Sequence, residues 1–315
     1  SAVFCSQDSK SLYEVPLRLE DQGMGAFLCE RLALEKKSPN WDVWSRIVRG
    51  FVSPREEVTI AVCGKYAELA DSYVSVNEAL RHAGAAADAR VNLTWVETEQ
   101  FEGPNPKIDI LKTVHGVLVP GGFGQRGTEG KIQAIQHARE NDVPFLGICL
   151  GFQLAIVEFA RSLGLTSANS TEIDPATSQP VIALMPEQLG VESKGATMRL
   201  GAHEVRIQAD TLAERLYGRR RVWERHRHRY EVNPEYLEKL QGGGLVFSGR
   251  SIDGRRMEIL ELPSHYFFMA TQFHAEFRSR PTNPSPPYLG FIKASLNRKL
   301  GKTHAKVTEA VPKTM

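Results

Sequence analysis

Cys149 and His274 are the two residues whose surroundings point to chemistry. A thiol attacks as a thiolate, so its ordinary pKa of about 8.5 must be lowered or a base supplied. Cys149 sits in Gly147-Ile-Cys-Leu-Gly151, with a glycine two residues to either side. That is the G-x-S-x-G elbow with sulfur in place of oxygen, a sharp strand-to-helix turn that strains its apex residue. The N-terminus of the following helix carries partial positive charge, which favours a thiolate. The alternative is a small apolar Cys filling a strand end; the flanking glycines favour the elbow.

A cysteine nucleophile needs a base, and the base needs a third group to orient it. Among nine histidines, His274 ends the apolar stretch Phe267-Phe-Met-Ala-Thr-Gln-Phe273, and Glu276 follows two residues on. In an extended chain i and i+2 project to the same side. Glu276 can then accept from one imidazole nitrogen while the other faces Cys149. An ordinary surface His and Glu at a strand end is the competing possibility. Pro120-Gly-Gly-Phe-Gly124 lacks the G-x-G-x-x-G spacing of a dinucleotide site. Its backbone N–H groups, with that of Leu150 as a second donor, suit an oxyanion, unless the segment is a plain turn.

Arg219–Arg229 holds six arginines and two histidines. The chain is otherwise near neutral, and Glu224 and Glu231 flank the run, so nucleic-acid binding is not expected. His226 and His228 have no carboxylate or thiolate partner at ligand spacing, so no metal site is expected either. One arginine gripping a substrate carboxylate is the better use. Gly301-Lys302-Thr303 resembles the end of a phosphate loop, but the position five before Gly301 is Leu296 and a helix precedes it. The chain should not bind ATP by itself.

The elements that must position these groups follow from periodicity. Phe145–Ile148 reads as a buried strand, and Leu154–Leu163 as a helix stopped by Gly164. Before them come strands at 58–63, 91–96 and 114–119, with helices at about 72–82 and 129–141. Strand and helix alternate, so the fold class is α/β, a mostly parallel central sheet flanked by helices. Ligands bind such sheets beyond the carboxyl ends of the strands, where Cys149 and the Gly-rich turn both lie. Beyond residue 170 the pattern changes to short extended segments, 181–185, 198–200, 205–207, 245–248, 257–262 and 267–273, an additional small antiparallel region. A helix at 287–300 closes the fold. Residues 1–54, with helix candidates at 25–34 and 41–51, cannot enclose a core of their own. Residues 55–300 form the main domain, and 301–315 a flexible polar tail.

Composition agrees with a soluble globular chain: 315 residues, 42% hydrophobic, 24% charged, net charge +2. No apolar stretch is long enough for a bilayer, and no signal peptide opens the chain. Cys5, Cys29, Cys63 and Cys149 form no CxxC pair, which suits reduced thiols in a cytoplasmic protein.

Pro120-Gly-Gly-Phe-Gly124, Gly147-Ile-Cys-Leu-Gly-Phe-Gln153 and His274-Ala-Glu276 together resemble the triad-type, class I glutamine amidotransferases. Gly124–Lys131, Ala168-Asn-Ser-Thr-Glu172, Thr197-Met-Arg-Leu-Gly201, Glu224–Asn233 and Ser285–Tyr288 narrow the resemblance to the glutaminase half of the CTP synthases, over residues 55–300. The opening Tyr13–Leu17 stretch resembles the end of the synthetase half, which would make 1–54 its tail plus a linker. The resemblance implies glutamine hydrolysis through a γ-glutamyl thioester on Cys149, with His274 and Glu276 completing the triad. It implies Gly122 and Leu150 as oxyanion donors. It carries substrate binding onto Gln153, Glu172 and Arg229, with Phe123 beside them, and a GTP-activation loop onto Thr197 and Arg199. It implies no cofactor in this fragment. ATP, Mg2+ and UTP belong to the other half, which receives the ammonia to make CTP in a homotetramer. Two positions depart from the family: Ala275, where Pro is usual, and Phe152, where Met or Leu is commoner. Other uses of the same residues are a cysteine hydrolase of γ-glutamyl or peptide bonds and a regulatory glutamine sensor.

Overall fold

The structure, a computed structural model, describes residues 1–65, 73–185 and 198–302. Twelve strands are found among them: β1 Glu56–Gly64, β2 Ala89–Glu97, β3 Gly116–Val119, β4 Phe145–Ile148, β5 Ala168–Ser170, β6 Gln179–Ala183, β7 Arg199–Ile207, β8 Arg221–His228, β9 Glu231–Val232, β10 Val246–Ser251, β11 Met257–Glu261 and β12 Phe268–Thr271. The helices are α1 Val15–Asp21, α2 Met24–Arg31, α3 Asp42–Val52, α4 Val74–Ala86, α5 Thr128–Glu140, α6 Leu150–Ser162, α7 Leu212–Tyr217, α8 Leu237–Gly242 and α9 Pro286–Lys299.

Nine strands form one mixed sheet in the order β2-β1-β3-β4-β12-β11-β10-β7-β8. From β2 to β12 every pairing is parallel; from β12 to β8 every pairing is antiparallel. The antiparallel strands therefore extend the main sheet. They do so because β12 pairs with β4 and brings its own hairpin neighbours with it. A separate sheet, β5-β6-β9, is small.

The pleat explains the two core layers. On β1, Ile60 and Val62 face one side and pack with Val76 and Leu80 of α4 and Phe291 of α9. Ala61 and Cys63 face the other and pack with Ile135 of α5 and Phe152 and Ile156 of α6. Helices thus cover both faces, and β4 is buried along its whole length, hence its unbroken apolar run.

Several elements differ from expectation. The segments at 198–200 and 205–207 are one strand, β7. The arginine-rich run is largely strand β8, whose burial alternates residue by residue. Its inward face is Val222, Glu224, His226 and His228; three polar residues hid the period of two. The short α7 and α8 also lay in stretches without a clear helical stripe. Helices α1 and α2 bury no residue, and α3 buries only Val48 and Gly50. An added Cβ at Gly50 would lie 2.3 Å from the Ala85 carbonyl oxygen, so α3 leans closely on α4. Residues 303–315 of the expected tail lie outside the described residues. No described helix is long and apolar enough to cross a membrane.

Candidate active site

Cys149 follows β4 and caps α6 with φ 52° and ψ −99°. A positive φ is strained for a residue with a side chain and marks the elbow. The flanking glycines are required by close approach. An added Cβ at Gly151 would lie 2.2 Å from the Val119 carbonyl oxygen, and one at Gly147 would lie 2.8 Å from that of Gly151. The Cys149 N–H donates to the Thr271 carbonyl at 2.7 Å, which ties the elbow to β12. Its sulfur lies 3.8 Å from the Arg227 carbonyl oxygen and 3.9 Å from Nε2 of Gln272.

The register of two neighbouring strands delivers the histidine. In the parallel pair β4–β12, Ile148 faces Thr271. Both chains therefore leave the sheet at the same edge, Cys149 one residue later and His274 three. The His274 N–H donates to the Arg225 carbonyl at 2.8 Å, so β8 fixes the backbone. Nδ1 meets Oε1 of Glu276 at 2.7 Å. This contact spans a turn, not a strand: β12 ends at Thr271, and Ala275–Arg278 is a 3-10 turn. The two side chains do meet, but a turn brings them together and not the extended chain expected from the sequence. The turn closes through the Phe277 and Ser279 N–H groups, so it forms without the usual Pro at Ala275.

Burial by itself would lower the His274 pKa. Hydrogen bonds to Cys149 and Glu276, and the charges of both, outweigh it and raise it to about 10. At neutral pH the imidazolium form is held beside the sulfur.

The Gly-rich turn lies directly over this pair. A Cβ added at Gly121 would lie 2.9 Å from Cε1 of His274 and 3.4 Å from Cβ of Cys149. One at Gly122 would touch Leu150 Cδ2 at 3.5 Å, so the two oxyanion candidates are neighbours. Leu150 opens α6, where the first N–H groups have no intrahelical acceptor. Behind the turn stands Lys131 of α5, 1% exposed. Burial, then the nearby Lys65 charge, lowers its pKa to about 8.

A cleft of about 230 Å³ opens on Cys149, His274, Glu276 and Gly121, and is walled by Tyr73, Arg227 and Phe277. A narrow chamber of about 10 Å³ adjoins it, lined by Gly122, Phe123, Cys149, Gln153, Glu172, His228, Arg229 and Tyr230. The four expected substrate-binding residues are thus collected beside the sulfur. The Gln153 amide donates to the Tyr230 carbonyl at 3.1 Å and to Oε1 of Gln272 at 3.2 Å. Burial raises the Glu172 pKa, although the Gly124 N–H and Arg229 oppose it. Phe123 is half exposed, with the Arg227 guanidinium 5.5 Å from its ring centre.

Thr197 lies outside the described residues. Arg199, on β7, lines neither chamber; its guanidinium pairs with Glu258, which is wholly buried. Linear spacing gives His226 and His228 no carboxylate partner, and the fold supplies one. His226 and His228 do meet a carboxylate, that of Glu258 on β11, and the three donor atoms lie within 4.8 Å of one another. Burial lowers both histidine pKa values, that of His228 to about 3. Arg199 already balances the Glu258 charge, so the cluster reads as a buried ion-pair network. The roles of Gln272 and of the Arg225 and Arg227 carbonyls were missed. The period-two alternation of β8 was the signal available for them.

An elbow thiol beside an imidazole–carboxylate pair, under a glycine turn at the end of parallel strands, is an arrangement suited to cysteine-dependent acyl transfer. Residues 68–294 match the glutamine amidotransferase class-I family, and the chain belongs to it. The glutaminase domain of Trypanosoma brucei CTP synthase with bound acivicin has a similar structure: TM-score 0.72, 40% identity, 76% of this chain and 93% of that one covered. CTP synthases of Thermococcus gammatolerans and Archaeoglobus fulgidus are 55% and 53% identical over 95% and 94% of this chain. Within the family, the chain groups with the CTP synthase glutaminase domains. It spans 56% and 55% of the length of those two curated relatives.

Proposed function

We propose that this chain hydrolyses L-glutamine to glutamate and ammonia. The Cys149 sulfur attacks the side-chain amide carbon. The Gly122 and Leu150 N–H groups hold the resulting oxyanion. The His274 imidazolium gives its proton to the departing ammonia, leaving a γ-glutamyl thioester. His274 then takes a proton from water as it attacks, the C–S bond breaks, and glutamate leaves. Glu276 keeps the ring oriented throughout. Glu172 suits the substrate ammonium and Arg229 its carboxylate, with Gln153 and Phe123 beside them. The observation that carries this reading is the hydrogen-bonded Glu276–His274 pair meeting Cys149 under the glycine turn.

In the whole protein the ammonia would serve ATP- and Mg2+-dependent amination of UTP to CTP, in the synthetase domain of a homotetramer. Residues 1–54 would be the tail of that domain plus a linker, and 55–300 the glutaminase domain. GTP would activate hydrolysis through the loop that includes Thr197 and Arg199, the latter acting through its ion pair with Glu258. Four free thiols suit the cytoplasm.

Glutamate release from glutamine, with none from peptides, tests the reading. Intact mass after treatment with acivicin should show one adduct, lost in Cys149→Ser. An adduct that survives the substitution, or equal cleavage of peptides, overturns it. A normal GTP response in both Thr197→Val and Arg199→Lys would reject the activation loop.

A further inference from the structure

Tyr13 lies in the 3-10 turn Leu12–Glu14, far in sequence from the catalytic groups, and its contacts lead back to them. Its hydroxyl donates to Oε2 of Glu78 at 3.1 Å and lies 2.8 Å from Nε2 of His82. Nδ1 of His82 lies 3.0 Å from Oγ of Ser279. The Ser279 N–H donates at 3.1 Å to the carbonyl of Glu276, closing the turn that presents the triad carboxylate. The Ser285 N–H donates to Oγ of Ser279 at 3.2 Å.

Counting donors gives this chain a direction. The one Tyr13 proton goes to Glu78, so its oxygen accepts from Nε2–H of His82. Neutral imidazole then has Nδ1 free to accept from the Ser279 hydroxyl. Ser279 Oγ in turn accepts from Ser285. Every polar atom is matched, in a region where His82 is 6% and Ser279 5% exposed. Unmatched groups there would be costly. Tyr13 is itself seated by the N-terminal segment: its ring stacks on Phe51 at 4.4 Å, and Nε1 of Trp44 donates to its carbonyl at 2.8 Å.

We infer that Tyr13 is a positioning residue for the triad: through His82 and Ser279 it holds the turn that aims Glu276 at His274. The seating of residues 1–54 on α4 thereby sets how well the imidazole is oriented. A partner domain that pulls on this segment would change turnover without touching the cleft. The inference rests on the proposed glutaminase reaction for one of its readouts only.

The test uses the whole chain with Tyr13→Phe, Ser279→Ala and the double variant. Glutaminase kcat and KM are measured, with the rate of Cys149 alkylation by iodoacetamide and the melting temperature. Tyr13→Phe should lower kcat and the alkylation rate about fivefold at unchanged KM, a coupling of ordinary size. Ser279→Ala should do the same, and the double variant no more than either, because the two act in one chain. Wild-type kcat and alkylation in Tyr13→Phe overturn the inference, as do effects that multiply in the double variant. A melting temperature lowered with kcat intact also overturns it, since that is support of the fold alone. If the unaltered chain releases no glutamate, the proposed function fails, and the iodoacetamide rates still decide this inference.

Discussion

The two halves of the nine-stranded sheet do different work. The parallel half, β2-β1-β3-β4, contributes backbone: the strained elbow of Cys149 and the glycine turn over it. Its devices are close approaches that only glycine permits. The antiparallel half, β12-β11-β10-β7-β8, contributes charged and proton-carrying side chains: His274, held by the Arg225 carbonyl, and the buried Arg199–Glu258–His226–His228 network. Its devices are hydrogen bonds and ion pairs between buried groups. The candidate site stands on the seam, because β4 and β12 are parallel neighbours that end together. One half sets where the Cys149 thiol points, and the other sets the energy of the His274 proton.

Five substitutions test that division. Glu276→Gln should have the largest effect. It leaves the elbow intact and should lower kcat on the order of 10⁴, as expected when a triad carboxylate stops orienting its histidine. In the unaltered chain, turnover should fall as pH rises through about 10, where His274 loses its proton. The variant should show that loss at lower pH, because Glu276 is one of the groups that raise the value. The folded chain binds this proton more tightly than the unfolded one. Its contribution to stability is therefore full below about 6.5 and lost as pH rises towards about 10. Urea unfolding at both ends of that window, against His274→Gln, checks the sign.

Arg199→Ala removes one partner of a buried ion pair and should cost about 3–5 kcal/mol by urea unfolding. A smaller loss would mean that water reaches Glu258. Gly151→Ala probes the other half. A gain of about 1 kcal/mol in helix propensity meets a clash with backbone that costs up to about 3 kcal/mol. The net loss should be about 2 kcal/mol, with thiol alkylation slowed because the elbow shifts. Ala275→Pro is the smallest. Its position opens a 3-10 turn, so proline should stabilise the chain by about 0.4–1 kcal/mol and leave kcat unchanged.

Legibility followed the same division. Phe145–Ile148 reads correctly because a doubly covered parallel strand is one apolar run. Cys149, Gly147 and Gly151 read correctly because an elbow is local. Helix α6 opens at Leu150, four residues before the start suggested by its apolar stripe, because Gly151 and Gln153 interrupt that stripe. The antiparallel half was harder. β8 looked like a basic run because its inward face carries Glu224, His226 and His228 in place of aliphatic residues. Their partner Glu258 lies on another strand, about thirty residues on, where no spacing rule reaches.

The residues by themselves carried the alternating α/β order, the elbow and the candidate His274–Glu276 pair, because each is written within a few neighbouring positions. Only the tertiary structure decided that β12 lies beside β4 in parallel and that Glu258 joins the two buried histidines. It alone seated Tyr13 on His82. Those pairings are between strands and helices distant in the chain. They are chosen by which apolar faces and buried charges can be satisfied together, and no stretch of sequence carries that information alone.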